Sequence, residues 1–299
     1  MIKRVWAQTS TQLGRLSKNK LTEMLRQRRR RAIYTLIVAT SLFALQWPVD
    51  AQEIVVLPTR PQVTQSYFLA RVPQAPQAVA VLFPGSGGTI GLRHEKGQIR
   101  FSPGNFLVRS RVEFVNRNVV TAIVDAPSDQ QGGWGMTDEF RLGGEHFTDV
   151  GAIVADLNKR FPALGIFLIG TSRGSISAAA LGARFRERIS GVVLTSSMFR
   201  EVGRNSKEPG PGLSRFDFAT IPVPLLFAHH VSDQCRFTPY GDAARLSEKY
   251  PVISVSGGSP PQSGPCDAFS QHGFLGKESE TVEQIVNWML KKPFQNEVK

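Results

Sequence analysis

The sequence predicts an α/β protein built on one doubly wound, mostly parallel sheet of eight strands. Short β-rich segments alternate along the chain with segments of helical periodicity, which is typical of parallel strands joined by crossover helices. Several β-rich segments are unbroken apolar runs, as expected of strands that are buried on both faces. The 299 residues suffice for one such sheet with its helices, because single α/β domains reach roughly 250 residues.

The individual elements follow from these two patterns. Apolar or β-branched runs predict strands at residues 54–57, 65–70, 78–83, 119–124, 166–169, 192–194, 225–228 and 252–255. Apolar residues at helical spacing predict helices at residues 106–114, 145–161, 174–188, 241–250 and 278–290. Residues 199–220 are rich in Gly, Pro, Arg and Lys without a period, so we expect a loop or a small irregular cap there. The proline-rich residues 256–266 are expected to form a loop.

The positive charge of the protein is concentrated at its N-terminus. The formal net charge is +12, and residues 1–51 carry +8 of it, with ten Lys or Arg against Glu23 and Asp50. The rest of the chain has 26 basic and 22 acidic residues. Nucleic-acid binding requires a basic surface on the fold itself, so we expect no nucleic-acid partner.

The same N-terminal segment has the layout of a secretory signal. The basic stretch leads into residues 32–47, sixteen positions without a charge, and small residues follow near Ala51. This order predicts cleavage after Ala51 and a mature domain of residues 52–299 that is periplasmic or secreted. The alternative is an uncleaved membrane anchor at residues 32–47, although that run is shorter than the roughly 20 residues that span a bilayer.

The motif GTSRG at residues 170–174 is the sharpest chemical feature of the chain. It follows the predicted strand 166–169 and opens a helix rich in small residues. A serine on a tight turn from strand to helix needs glycine on both sides, because the turn is strained and the helix packs closely on the strand. We therefore predict that Ser172 is a nucleophile on an elbow of this kind. The alternative is an ordinary turn.

A glycine-rich segment after an earlier strand could supply an oxyanion hole. The sequence FPGSGG occupies residues 83–88. Backbone N–H groups in such a loop can point at a developing negative charge, as can the N–H that follows the nucleophile. We predict Ser86 as the first donor, with Gly87 as the alternative, and Arg173 as the second. The segment lacks the Lys-Ser/Thr of a phosphate-binding loop, so nucleotide binding is not expected.

A serine nucleophile needs a histidine that a carboxylate orients, and the expected chain order is Ser, Asp or Glu, then His. Asp233 lies in the turn after strand 225–228, and His272 lies after the last strand. We predict Asp233 as the orienting acid and His272 as the general base. A solvated loop aspartate and a surface histidine are the alternatives.

Both cysteines lie near these two residues. Cys235 is two positions after Asp233, and Cys266 is six positions before His272. An even pair in an exported protein favours a disulfide, which would join the loop of the acid to the loop of the histidine. Neither the cysteines nor the histidines form a pattern of metal ligands, so we expect no metal and no cofactor.

These segments together resemble the α/β-hydrolase superfamily. GTSRG at 170–174, FPGSGG at 83–88, SDQC at 232–235 and QHGF at 271–274 carry the resemblance, which is greatest to secreted bacterial hydrolases related to dienelactone hydrolases and small esterases. The resemblance implies the α/β-hydrolase fold and an acyl-enzyme on Ser172. Pro84 departs from the family pattern, because many members have histidine there.

A few residues near the predicted cleft carry weaker signals. Trp134 and His230 could line a substrate site, or could cover the core and support a loop. The Arg173 side chain could favour an acidic substrate or be solvated. Asp125 and Asp129 lie in a loop expected to border the cleft, whereas His94 and His146 receive no role.

We therefore expect an exported serine hydrolase that cleaves an ester or related acyl bond of a small molecule. An amidase, peptidase, thioesterase or acyltransferase could use the same triad, and a non-catalytic binding module could keep the fold. Membrane association is expected only if the N-terminal segment is uncleaved. The sequence does not predict the substrate or the oligomeric state.

Overall fold

The computed structural model describes residues 52–72, 75–206 and 208–299, in which a nine-stranded sheet forms the centre. The predicted export signal, residues 1–51, lies outside the described residues. None of the described helices is both long and apolar enough to cross a membrane.

The strands and their order confirm a doubly wound, mostly parallel sheet. The strands are β1 (Gln52–Arg60), β2 (Val63–Ala70), β3 (Ala78–Phe83), β4 (Arg93–Glu95), β5 (Gln98–Arg100), β6 (Val119–Val124), β7 (Gly165–Thr171), β8 (Gly191–Thr195), β9 (Leu225–His230), β10 (Val252–Val255) and β11 (Glu297–Val298). The sheet order is β1-β2-β6-β3-β7-β8-β9-β10-β11, and among these strands β2 alone runs against the others. All residues of β3, β6, β8 and β9 are buried, as their apolar runs predict.

The sheet has one strand more than the eight predicted. The ninth, β11, pairs two residues in parallel with the end of β10. Two residues are too few for a hydrophobic period, so no sequence pattern marks this strand. The hairpin of β4 and β5 was also not predicted. Its three-residue strands are mostly exposed and stand outside the main sheet.

The described part of the chain contains seven helices. They are α1 (Phe106–Arg109), α2 (Arg111–Val115), α3 (Asp138–Leu142), α4 (Gly144–Arg160), α5 (Gly174–Phe185), α6 (Tyr240–Ala244) and α7 (Glu278–Met289). The predicted helix 106–114 is interrupted at Ser110, and the helices predicted at 174–188 and 241–250 end in 3₁₀ turns at Arg186–Arg188 and Arg245–Glu248. Helix α3 was not predicted, because five residues are too short to show a period.

Helices lie on both faces of the sheet, and each face has its own core. Along β3 the side chains alternate, so Val79 and Val81 belong to one core and Ala80 and Leu82 to the other. Helices α4 and α5 close the first core, and α1, α2 and α7 close the second. This alternation is the expected result of a period of two on a sheet that is covered twice.

The loops after β3, β7, β9 and β10 meet at the carboxyl edge of the sheet, where ligands bind in folds of this class. A buried carboxylate supports one wall of this edge. Asp125 accepts hydrogen bonds from the backbone N–H groups of Ile90 at 2.7 Å and Leu92 at 2.9 Å. Asp129 forms an ion pair with Arg60 at 2.9 Å. Both aspartates therefore hold loops in place, and the structure gives neither a position in the cleft.

Candidate active site

Ser172 stands on a tight turn between β7 and α5. Its φ of 52° lies in the left-handed region, which is strained for a residue with a side chain. A Cβ at Gly170 would overlap the backbone of Gly174, and a Cβ at Gly174 would overlap the carbonyl oxygen of Phe83. The glycines at both ends of the motif are therefore required by close backbone packing, as the sequence predicts.

His272 and Asp233 are hydrogen-bonded to each other across the cleft loops. Nδ1 of His272 is 3.0 Å from Oδ2 of Asp233, and both side chains are buried. The other carboxylate oxygen of Asp233 accepts the backbone N–H of Cys235 at 2.9 Å. This contact directs Nδ1 toward the acid and leaves Nε2 as the nitrogen that can act as a base.

Thr238 is a third member of this contact, and sequence reasoning missed it. Its hydroxyl donates to Oδ2 of Asp233 at 2.8 Å and lies 3.0 Å from Nδ1 of His272. The residue is fully buried. The only feature in the sequence that could have indicated this role is its position five residues after Asp233. A threonine at that distance is not part of a recognisable motif.

Replacing Thr238 with valine is expected to lower kcat by roughly 10-fold with little change in KM. Valine has the same shape but cannot donate, so Asp233 loses a hydrogen bond of the charge-assisted class, worth about 1.5–3 kcal/mol. Thr238→Ser keeps the hydroxyl and serves as the matched control. Steady-state kinetics on an ester substrate would test this, and equal kcat in both variants would contradict it.

The loop of His272 is held by backbone and covalent contacts. The Ser196 hydroxyl donates to the carbonyl oxygen of His272 at 2.7 Å, and the Ser270 hydroxyl accepts the His272 N–H at 3.2 Å. The predicted disulfide between Cys235 and Cys266 is present and joins this loop to the loop of Asp233. The acid and the histidine thus come from two loops that are covalently linked.

The predicted nucleophile and the predicted base line the same cavity, which has a volume of about 300 Å³. Its lining includes Ser86, Asn105, Phe106, Ser172, Ala268 and His272. Gly85 also lines the cavity beside Ser172, since a Cβ at Gly85 would lie 3.0 Å from the Cβ of Ser172. The cavity lies at the carboxyl edge of the sheet, where the motifs predict it.

The loop predicted to bind an oxyanion borders the same cavity. Ser86 lines the cavity, whereas Gly87 packs against the backbone of Trp134. The backbone N–H groups of Ser86 and Arg173 have no acceptor among the described residues. A role of these two groups as oxyanion donors stays a prediction.

Comparison with known proteins yields solved structures of similar fold. Est1E from Butyrivibrio proteoclasticus matches with a TM-score of 0.53 at 14% identity, over 80% of this chain and 98% of that chain. A soluble variant of monoglyceride lipase from Saccharomyces cerevisiae matches with a TM-score of 0.53 at 11% identity, over 83% of this chain and 98% of that chain. The chain has the α/β-hydrolase fold. No family model matches the sequence, and no curated protein sequence matches it.

In this α/β-hydrolase fold the side chain of Arg173 is largely buried and paired with carboxylates. It is 7% exposed and forms ion pairs with Asp138 and with Glu208, the latter at 3.2 Å. Asp138 also accepts the backbone N–H of Gly212 at 2.9 Å. Arg173 therefore links the serine turn to residues 199–220, and its charge is balanced by two carboxylates. The low exposure contradicts a solvated side chain, and a preference for acidic substrates stays a prediction.

Residues 199–220 and Trp134 border a second cavity beside the first. This groove of about 760 Å³ is lined by Trp134, Arg173, Val202, Pro209 and Arg215 among others. Trp134 is 56% exposed there and does not line the cavity of Ser172. The described part of the segment is mostly irregular, as predicted, with a short bridge between Val202 and Gly210 and a 3₁₀ turn at Phe218–Thr220. A role for either as substrate contact or cap remains a prediction.

His229 and His230, the last two residues of β9, form hydrogen bonds to neighbouring loops. Nε2 of His230 lies 3.0 Å from the carbonyl oxygen of Gly257, and its Nδ1 accepts the N–H of Ser232 at 3.1 Å. The ring is thus occupied by loop contacts and does not line the cavity of Ser172. Burial lowers the pKa of His229 to about 3, so this ring is neutral at physiological pH.

Proposed function

We propose that the protein is an exported serine hydrolase that cleaves an ester or a related acyl bond through Ser172, Asp233 and His272. The observation that carries the proposal is the 3.0 Å contact between Nδ1 of His272 and Asp233, with His272 lining one cavity with Ser172. A serine on a strained turn, a histidine and a buried carboxylate are the parts of a nucleophilic triad.

In the first step, Oγ of Ser172 attacks the acyl carbonyl carbon while Nε2 of His272 takes the hydroxyl proton. The carbonyl π electrons move to oxygen, and the oxyanion accepts hydrogen bonds from the N–H groups of Ser86 and Arg173. Asp233 stabilises the imidazolium that forms. The oxyanion then collapses, the bond to the leaving group breaks, and His272 returns the proton to it.

In the second step, water replaces the leaving group. His272 takes a proton from water, the hydroxide attacks the acyl carbon, and collapse of the oxyanion breaks the ester bond to Ser172. His272 returns the proton to Oγ, which restores the enzyme and releases a carboxylic acid.

The size of the cavity favours a small acyl group. Its volume of about 300 Å³ is at the lower end for small-molecule sites. Esters, thioesters and amides share this mechanism, because the triad acts on the carbonyl and the leaving group differs. We propose an ester, because an alcohol leaves with less assistance than an amine does, and thioesters are tested beside it.

The disulfide supports the export part of the proposal. Structural disulfides persist in oxidising compartments and are rare in the cytosol, and Cys235–Cys266 joins two loops of the site. The basic and apolar residues 1–51 supply the signal. We propose a periplasmic or secreted location, which fractionation of the producing cells would test.

The proposed chemistry is tested by labelling the purified protein with a fluorophosphonate probe. We expect covalent labelling of the wild type and none of Ser172→Ala, because phosphorus is attacked by the same activated oxygen. Ser247→Ala, which changes an exposed serine far along the chain, is the control and should label fully. A folded wild type that does not label would contradict the proposal and favour a binding module. Positive labelling would be followed by turnover of short-chain esters, thioesters and amides, with and without an alcohol acceptor.

A further inference from the structure

A buried arginine lies beneath the loop that borders the predicted oxyanion site. Arg141, on α3, is 1% exposed, and its pairing is unusual for a buried cation. Within the described residues no carboxylate lies within ion-pair distance of its guanidinium, and the nearby Asp138 pairs with Arg173 instead. Burial lowers the pKa of Arg141 to about 10, so the side chain remains charged at neutral pH.

The guanidinium makes two hydrogen bonds, and one of them holds the predicted oxyanion loop. Its Nη2 donates to the backbone carbonyl oxygen of Ser86 at 2.8 Å, and its Nη1 donates to the hydroxyl of Ser177 on α5 at 2.8 Å. Its Nε is buried without an acceptor among the described residues. Arg141 therefore connects the loop after β3 to the helix that follows the nucleophile.

The loop that Arg141 holds is strained at Ser86. The φ of Ser86 is 49°, in the left-handed region that disfavours serine. A flip of the Gly85–Ser86 peptide would change φ of Ser86 and turn its N–H away, whereas a flip of the Ser86–Gly87 peptide would change ψ of Ser86 and turn the Gly87 N–H away. In a trans peptide the C=O and the next N–H point in opposite directions. The bond from Arg141 to the Ser86 carbonyl therefore also sets the direction of the Gly87 N–H.

The second peptide beside Ser86 is held by the loop itself. The carbonyl oxygen of Gly85 accepts the N–H of Gly88 at 3.0 Å, which directs the Ser86 N–H to the opposite side. Of the two peptides that carry the predicted donors, one is fixed by a backbone hydrogen bond and the other by Arg141.

We propose that Arg141 is a positioning residue that holds the Ser86 carbonyl, and with it the loop whose Ser86 N–H is the proposed oxyanion donor and whose Gly87 N–H is the alternative. The inference rests on the proposed function. Its buried charge lies one hydrogen bond behind the loop, where the low dielectric makes a positive charge favourable to a developing oxyanion. Burial of a cation without a carboxylate partner is unfavourable for stability, and such groups cluster at functional sites.

The test compares Arg141→Met, Arg141→Lys and Ser177→Ala in the full-length protein. Methionine removes both the charge and the donors with a similar length, and lysine keeps the charge with a single donor point. Ser177→Ala removes the other hydrogen bond of the same guanidinium and leaves the bond to Ser86, so it measures the structural part of the contact. Each variant is assayed for kcat and KM on the ester that the wild type turns over fastest. Each is also titrated with a trifluoromethyl ketone, which adds Ser172 Oγ to its carbonyl and forms an oxyanion.

We expect Arg141→Met to lower kcat roughly 10- to 100-fold, somewhat less than the loss of a whole oxyanion donor. Affinity for the trifluoromethyl ketone should fall by the same factor, while KM and affinity for the carboxylate product stay within about 3-fold. Arg141→Lys should lie between methionine and the wild type, and Ser177→Ala should stay within about 2-fold of the wild type.

Two results would overturn the inference. Equal losses in Arg141→Met of ketone affinity and product affinity would show a merely structural role, as would losses in Ser177→Ala that match those of Arg141→Lys. If Arg141→Met does not fold, the comparison of Arg141→Lys with Ser177→Ala decides alone. A wild type without Ser172-dependent turnover would instead contradict the proposed function, so the two failures are distinguishable.

Discussion

Replacing Asp233 with asparagine is expected to lower kcat by about 10⁴-fold while the fold is kept. The carboxylate accepts Nδ1–H of His272 at 3.0 Å, so it selects the tautomer in which Nε2 is free to take a proton. An asparagine amide can donate to Nδ1 and favour the opposite tautomer, and it cannot stabilise an imidazolium. The measurement is kcat for a short-chain ester, beside a thermal melt of both proteins.

The matched control for this variant is Asp242→Asn. Asp242 lies on α6 and pairs with Arg200 and Arg245 at the surface, away from the cavity of Ser172. The same change of charge there should leave kcat within about 2-fold, since surface ion pairs contribute little. An Asp233→Asn protein that keeps more than a tenth of the wild-type kcat would contradict our assignment of the acid.

Removing the disulfide is expected to have the second largest effect. Cys235 and Cys266 are separated by 31 positions, and the chain-entropy model gives roughly 3–4 kcal/mol for a loop of this size. The double variant Cys235→Ser/Cys266→Ser should lose about that much free energy of unfolding. Its kcat should also fall, because the loops of Asp233 and His272 would lose their covalent link. Denaturant unfolding and ester kinetics on the same preparation measure both quantities.

Reductant provides the control for the disulfide prediction. Treatment of the wild type should reproduce both losses, whereas the double serine variant should not respond further. A wild type whose activity and stability are unchanged after complete reduction, verified by a thiol count of two, would contradict a role for the bridge.

Much of the fold was predictable because its patterns are local. The buried runs of β3, β6 and β9 are continuous in sequence, and burial on both faces requires such runs. The two-residue β11 and the short α3 were missed, because neither is long enough to show a period. α3 forms where Thr137 caps its first turn, its hydroxyl accepting the N–H of Phe140 at 3.2 Å.

The candidate site was predictable to the extent that its backbone demands special residues. Gly170 and Gly174 mark the turn of Ser172 because no Cβ fits there, and this requirement is visible in the sequence. Asp233 and His272 followed from chain order and from the ends of predicted strands. The spacing of the cysteines predicted a disulfide, and the structure contains it.

Contacts between distant segments were not predictable. Thr238 joins Asp233 and His272 through a hydroxyl, and nothing in its neighbourhood distinguishes it from another loop threonine. Arg141 reaches Ser86 across 55 positions of chain. The charge of Arg173 was visible in the sequence, but its two carboxylate partners come from α3 and from residues 199–220.

The sequence by itself thus determined the order of the longer strands and helices, the turn of Ser172 and the three residues proposed as a triad. These depend on hydrophobic period, on glycine at crowded positions and on chain order, which are properties of short segments. The tertiary structure alone decided which charges are neutralised, which donors remain available and which cavity each side chain borders. Hydrogen bonds and ion pairs depend on ångström distances between segments far apart in the chain, and a sequence pattern does not encode those distances.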